Sequence, residues 1–152
     1  MSMTLQHIAD RIEIDDLLTR YATALDAKDW DLFSTCFTPD AFIDYTGAGG
    51  IKGAFPEIRD WLAHVMASFP MTQHLVTNRA VQIAGDTATS RSCLFNPMGI
   101  GDESGLVVFF DGGYYRDKLV RTAAGWRICE RIEEPSYSTR RHRVMLRLFA
   151  AG

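Results

Sequence analysis

From Thr72 to Glu134 the chain alternates apolar and polar residues in runs joined by connections with no helical pattern. Thr72–Ile83, Thr87–Phe95, Leu106–Arg121 and Trp126–Glu134 read as strands. Gly85-Asp86 and Ala123-Ala124-Gly125 are hairpin turns, and Asn96-Pro97 with Gly99 to Gly105 is a loop. Such connections pair neighbouring strands antiparallel, because a parallel pair needs a crossover of about a dozen or more residues. Gly112-Gly113 marks a bulge in the third run. The pattern is a four-strand antiparallel meander, and βαβ units are disfavoured.

The first part of the chain has a different period. After Thr4, apolar residues recur at Leu5, Ile8, Ile12, Leu17, Leu18, Tyr21, Ala22 and Leu25, the stripe of a long helix. Asp29 can cap a second helix, Trp30 to Phe37, which Thr38-Pro39-Asp40 ends. Ala41–Thr46 reads as a strand, followed by a glycine-rich turn from Gly47 to Gly53. Pro56 opens a third helix whose stripe is Ile58, Trp61, Leu62, Val65, Met66 and Phe69. The fold class is α+β, with three helices against one face of a curved, mostly antiparallel sheet that encloses a pocket.

Composition narrows the function. At 152 residues the chain is expected to form one domain over 1–152, and 47% hydrophobic with 23% charged residues is a globular mix. The net charge of −3 argues against nucleic acid as a partner. The one basic concentration is Arg140, Arg141, Arg143 and Arg147, read as a solvated face or a contact with a partner subunit. Cys36, Cys93 and Cys129 are odd in number and form no C-x-x-C pair. They read as reduced and buried, with no disulfide framework and no zinc site. His7, His64, His74 and His142 have no metal-ligand spacing, and His7 and His64 read as surface residues. Without an apolar run of membrane length or a signal core, a cytoplasmic protein is expected, with no membrane partner.

One set of residues could carry chemistry: Asp26, Tyr45, His74 and Asn78. Asp26 lies at the end of the first helix, as a cap or as a carboxylate turned inward. His74 shares a strand face with Val76 and Asn78, as a hydrogen-bonded core residue or as a general base. Tyr45 shares a face with Ile43, whereas Asp44 points the other way or ends the strand. If Asp26 and His74 meet, a neutral imidazole can take a proton near pH 7 while the carboxylate fixes its tautomer. A tyrosine hydroxyl could then donate to an oxygen that gains charge. No G-x-S-x-G, phosphate-binding glycine loop or activated cysteine is present, and no cofactor is indicated. Gly47 to Gly53 reads as a flexible pocket rim or lid. Tyr21, Asn96, Met98 and Phe110 are further candidates for the pocket lining.

These residues resemble the SnoaL-like branch of the nuclear transport factor 2-like superfamily, near scytalone dehydratase and hexachlorocyclohexane dehydrochlorinase. The resemblance rests on Tyr21-Ala-Thr-Ala-Leu-Asp26-Ala-Lys-Asp-Trp30, Cys36-Phe-Thr-Pro-Asp-Ala41, Ile43-Asp-Tyr45, Thr72-Gln-His74 and Gly125-Trp126-Arg-Ile128. It implies a cone-shaped α+β barrel with a deep pocket, assembled as a homodimer or homotrimer. It also implies that Asp26 and His74 form a catalytic pair, with Tyr45 as a pocket tyrosine. The scytalone-specific groups are not kept. Leu25 stands where that enzyme has a tyrosine, and no histidine occurs at Asn96-Pro-Met98.

The implied activity is a cofactor-independent lyase, most simply a dehydratase, acting on a small apolar cyclic, polyketide-like or steroid-like molecule. In this reading His74 is the base, Asp26 orients it, and Tyr45 with Asn78 holds the carbonyl or leaving group. An isomerase or cyclase could use the same pair. A non-catalytic ligand-binding or assembly module of the same fold is the alternative from another class.

Overall fold

The computed structural model describes residues 4–102 and 105–139. The Arg140, Arg141, Arg143 and Arg147 cluster and His142 lie outside the described residues. Helix α1 spans Leu5–Ala27, and the His7 N–H donates to the Thr4 hydroxyl at its start. It ends at Lys28, whose φ of 55° turns the chain out of the helix. Its buried stripe is Asp10, Ile14, Leu17, Leu18, Tyr21, Ala24 and Leu25. Leu5, Ile8 and Ile12, expected in that stripe, remain exposed.

Helix α2 is Trp30–Ser34, capped by Asp29, whose side chain accepts from the Leu32 N–H. It is shorter than the periodicity suggests. Phe37 already belongs to strand β1, Phe37–Asp44, because its backbone pairs with the last strand instead of continuing the helix. A single 3-10 turn at Thr46–Ala48 leads into β2, Lys52–Ala54, which folds back on β1. The glycine-rich segment is therefore partly a hairpin. Helix α3 follows at Phe55–Met66 and buries Phe55, Ile58, Leu62 and Met66.

The meander comprises β3 (Met71–Thr72), β4 (Leu75–Ala84), β5 (Thr87–Asp102), β6 (Gly105–Thr122) and β7 (Gly125–Ser138). The stretch from Asn96 onward, expected as a loop, extends β5 and pairs with β6 out to Asp102 opposite Gly105. A register shift falls between Gly112 and Gly113, where a Cβ on Gly113 would collide with the Glu134 carbonyl. The sheet order is β2-β1-β7-β6-β5-β3, with β4 also on β5. All pairs are antiparallel except β1 with β7.

The sheet is open, which corrects the expected barrel. Its end strands β2 and β3 have only three and two residues and do not pair with each other. Helix α3 instead supplies a wall of the interior cavity, through Trp61, Leu62, Val65 and Met66. Beneath α1 and α2 an aromatic cluster joins Tyr21, Phe33, Phe37 and Phe55, with ring centroids 5.0–6.1 Å apart. The far end of α1 is pinned by Asp10, which accepts two bonds from Arg121 (2.6 and 2.8 Å) and one from the Trp126 indole (3.2 Å). Cys36 is buried, whereas Cys93 and Cys129 are only partly so. Among the described residues no helix is long and apolar enough to cross a membrane.

Candidate active site

The end of α1 and the break between β3 and β4 meet at Asp26. Gln73 and His74 interrupt the strand, so the His74 N–H is free of the ladder and donates to Asp26 Oδ2 at 2.8 Å. His74 Nδ1 lies 2.6 Å from Asp26 Oδ1, and the Thr72 hydroxyl donates to the same oxygen at 3.0 Å. Burial pushes the Asp26 carboxyl up, but the bonds from His74 and Thr72 outweigh it and hold it below its ordinary range. An ionised carboxylate only accepts, so Nδ1 carries the proton. In the neutral imidazole Nε2 then holds the lone pair, and Asn96 Nδ2 donates to it at 3.1 Å.

His74 and Asn96 line a cavity of about 480 Å³. Leu25, Leu62, Val65, Met66, Phe69 and Met98 make much of its wall apolar. Tyr21, Tyr45 and Tyr115 also line it. The Tyr21 and Tyr45 oxygens are 2.9 Å apart, and Tyr21 donates to Tyr115 at 3.4 Å. Burial raises the pKa of all three, so they stay protonated.

Behind the tyrosines lies a sealed ion pair. Arg131 donates through Nε and Nη2 to both oxygens of Asp117 at 2.7 Å, and neither side chain is exposed to solvent. The Arg131 guanidinium sits 3.9 Å from the Tyr21 ring centre and 4.2 Å from that of Tyr115. Burial favours its neutral form, but the Asp117 carboxylate reverses this and raises its pKa well above the usual value.

Of the residues read from the sequence, Tyr21, Tyr45, His74, Asn96 and Met98 line this cavity, and Asp26 stands behind His74. Asn78 and Phe110 are not among the lining residues. Asn78 is exposed, with φ of 49° at a register shift between Thr77 and Ala80 that breaks its alternation with His74. Phe110 is 40% exposed and stacks on Phe95. His64 is exposed, as expected, yet also borders the cavity. Asp44 ends its strand and accepts from Thr46.

Tyr115, Asp117 and Arg131 join the site without having been among the candidates above. Tyr115 and Asp117 alternate with Leu119 on the buried face of β6, a signal the period of two carries. Arg131 has no such signal. In β7 Ile128 pairs with Leu119 but Glu130 pairs with Lys118, so the extra residue Cys129 shifts the inward positions. Among the described residues no group of three His, Cys, Asp or Glu could hold a metal ion.

Comparison with known proteins gives a consistent picture. A profile of the SnoaL-like domain matches residues 6–132. An uncharacterized protein of Mycobacterium tuberculosis strain H37Rv is 44% identical over 131 residues, covering 86% of this chain and 88% of that one. A crystal structure of a Kribbella flavida protein superposes with a TM-score of 0.81 at 27% identity, over 91% of this chain and 97% of that one. A type 2 hexachlorocyclohexane dehydrochlorinase shares the fold with a TM-score of 0.77 at 18% identity, over 89% and 90%.

Proposed function

Since the chain belongs to the SnoaL-like domain family, we propose that it is a cofactor-independent lyase whose Asp26–His74 pair removes a proton from a small, largely apolar cyclic substrate. The observation that carries this reading is the 2.6 Å contact between His74 Nδ1 and Asp26 Oδ1, with the histidine on a predominantly apolar cavity. Nε2 takes a proton from a carbon next to a carbonyl. The released electron pair becomes a double bond, and a hydroxyl on the neighbouring carbon leaves as water with the proton that Nε2 took, which returns His74 to its neutral form. Asp26 holds the imidazole in the required tautomer and balances the imidazolium. A tyrosine hydroxyl on the cavity wall donates to the carbonyl oxygen as it gains charge. The name of the dehydrochlorinase neighbour denotes an elimination, which supports the reaction class by analogy only.

Proton removal also begins an isomerisation or a cyclisation, so those products belong in the same test. Self-association as a homodimer or homotrimer in the cytoplasm completes the reading. The exposed run Leu106, Val107 and Val108 on β6, with Phe110 and Phe95 beside it, supports an interface. Light scattering of the purified protein would measure the assembly.

The test is a panel of cyclic hydroxy-ketones, polyketide fragments and steroid-like enones, followed by mass spectrometry and thermal shift for wild type and His74→Ala. Turnover by wild type that vanishes in a folded His74→Ala is expected. Binding without turnover, unchanged by the substitution, would make the protein a ligand-binding module.

A further inference from the structure

The three tyrosine hydroxyls form a directed chain. Each has one proton to give. The contact between Tyr21 and Tyr115 has the geometry of a bond in which Tyr21 donates and Tyr115 accepts. With the proton of Tyr21 given to Tyr115, the 2.9 Å contact is a bond from Tyr45 to Tyr21. Donation therefore runs from Tyr45 through Tyr21 to Tyr115. The proton of Tyr115 is the one the chain leaves unspent, and Tyr115 lines the cavity. Burial keeps all three hydroxyls protonated, so the chain ends in a donor. Bonds in series polarise one another, so the terminal donor is stronger than a lone phenol. The Arg131 guanidinium lies against the rings of Tyr21 and Tyr115 and favours negative charge near them, while the Glu133 carboxylate on the same cavity opposes it.

We propose that Tyr115 is the residue that holds a substrate oxygen, donating to the carbonyl of a ketone or enone, with Tyr21 and Tyr45 as positioning residues behind it. This rests on the lyase reading for its chemistry, because a polarised carbonyl acidifies the carbon whose proton His74 takes. It replaces Tyr45, to which the resemblance pointed, with a tyrosine on the buried face of β6. It also narrows the substrate class, since a purely hydrocarbon or halocarbon ligand offers Tyr115 no good acceptor.

The test uses two probes of nearly equal shape, 1-indanone and 1-methyleneindane, of which only the first carries an oxygen. Calorimetry on wild type should show the ketone bound about tenfold more tightly, the value of one well-formed hydrogen bond. The infrared carbonyl stretch of bound 1-indanone should fall relative to its value in an apolar solvent. Tyr115→Phe should abolish both the preference and the fall in frequency. Tyr45→Phe should keep the preference and reduce the shift only in part. Melting curves establish that each variant is folded, and Tyr45→Phe supplies the comparison if Tyr115→Phe is not. Equal binding of the two probes by wild type, no binding of either, or a frequency shift lost in Tyr45→Phe but kept in Tyr115→Phe would overturn the proposal. Ketone preference without turnover of any substrate would sink the lyase reading and leave this assignment standing. Turnover without ketone preference would do the reverse.

Discussion

Removing Asp117 should destabilise the protein more than almost any other single truncation. Asp117 and Arg131 have no solvent exposure, and two bonds of 2.7 Å join them. Arg131 Nη1 already lacks a hydrogen-bond partner, so the guanidinium has no spare contact to fall back on. In Asp117→Ala a buried cation would face the Tyr21 and Tyr115 rings without its carboxylate. Stranding one member of a buried pair costs about 3–5 kcal/mol, a large share of the roughly 5–15 kcal/mol of a typical domain. At about 2–4 °C per kcal/mol for a chain of this size, the melting temperature should fall by about 6–20 °C. Replacing both partners, in Asp117→Leu with Arg131→Met, removes both charges and should recover much of the loss. Urea denaturation of wild type, Asp117→Leu, Arg131→Met and the double variant closes a thermodynamic cycle. A loss below about 1 kcal/mol in Asp117→Ala, or a double variant that loses the sum of the singles, would refute the reasoning.

Asp26→Asn keeps an oxygen near His74 but removes the charge, and should cut turnover of any substrate found by about 100-fold or more, read as kcat at saturating substrate. Arg121 holds the Asp10 carboxyl far below its ordinary range, so Asp10 contributes stability above the normal carboxylate pKa and loses it as the pH falls toward the folded-state value. Urea midpoints measured from pH 7 down to pH 2 should therefore fall less steeply for Asp10→Asn than for wild type. Gly113→Ala forces a Cβ onto the Glu134 carbonyl at the β6–β7 register shift, where Ser136 of β7 is the extra residue, and should cost about 1–3 kcal/mol by thermal or urea melts.

How much was legible depends on which residues obey a simple period. The α1 stripe from Ile14 to Leu25 and the antiparallel meander follow hydrophobic spacing, and both are present. Asp26 and His74 came together through resemblance, because no period links a helix end to a strand interruption 48 residues later. Irregular backbone accounts for most of the rest. Asn78 takes a left-handed conformation beside a register shift, so its side chain leaves the face counted from His74. The extra residue in β7 hides Arg131 in the same way. Helix α2 ends early because pairing with β7 claims Phe37, a long-range contact that local helix propensity does not register. The sheet ends in β2 and β3, of three and two residues, which do not pair with each other, and strand length at an edge is poorly encoded in alternation alone.

The parallel pairing of β1 with β7 governs the order in which the chain can assemble. β1 enters the sheet between β2 and β7, and its partner residues Ile128 to Ile132 are among the later parts of the described chain. Asp10, near the start, likewise waits for Arg121 and Trp126. During synthesis the aromatic residues of α1, α2 and β1 therefore emerge long before the strand that completes their burial. The hairpins of β4 to β7 join sequence neighbours and can form early. Docking the amino-terminal segment onto them closes the longest loop in the fold, and such non-local closure is slow. The segment that carries Asp26 and Tyr45 thus leaves the ribosome before the sheet strands that bury it, with its apolar surface open to misassociation until they follow.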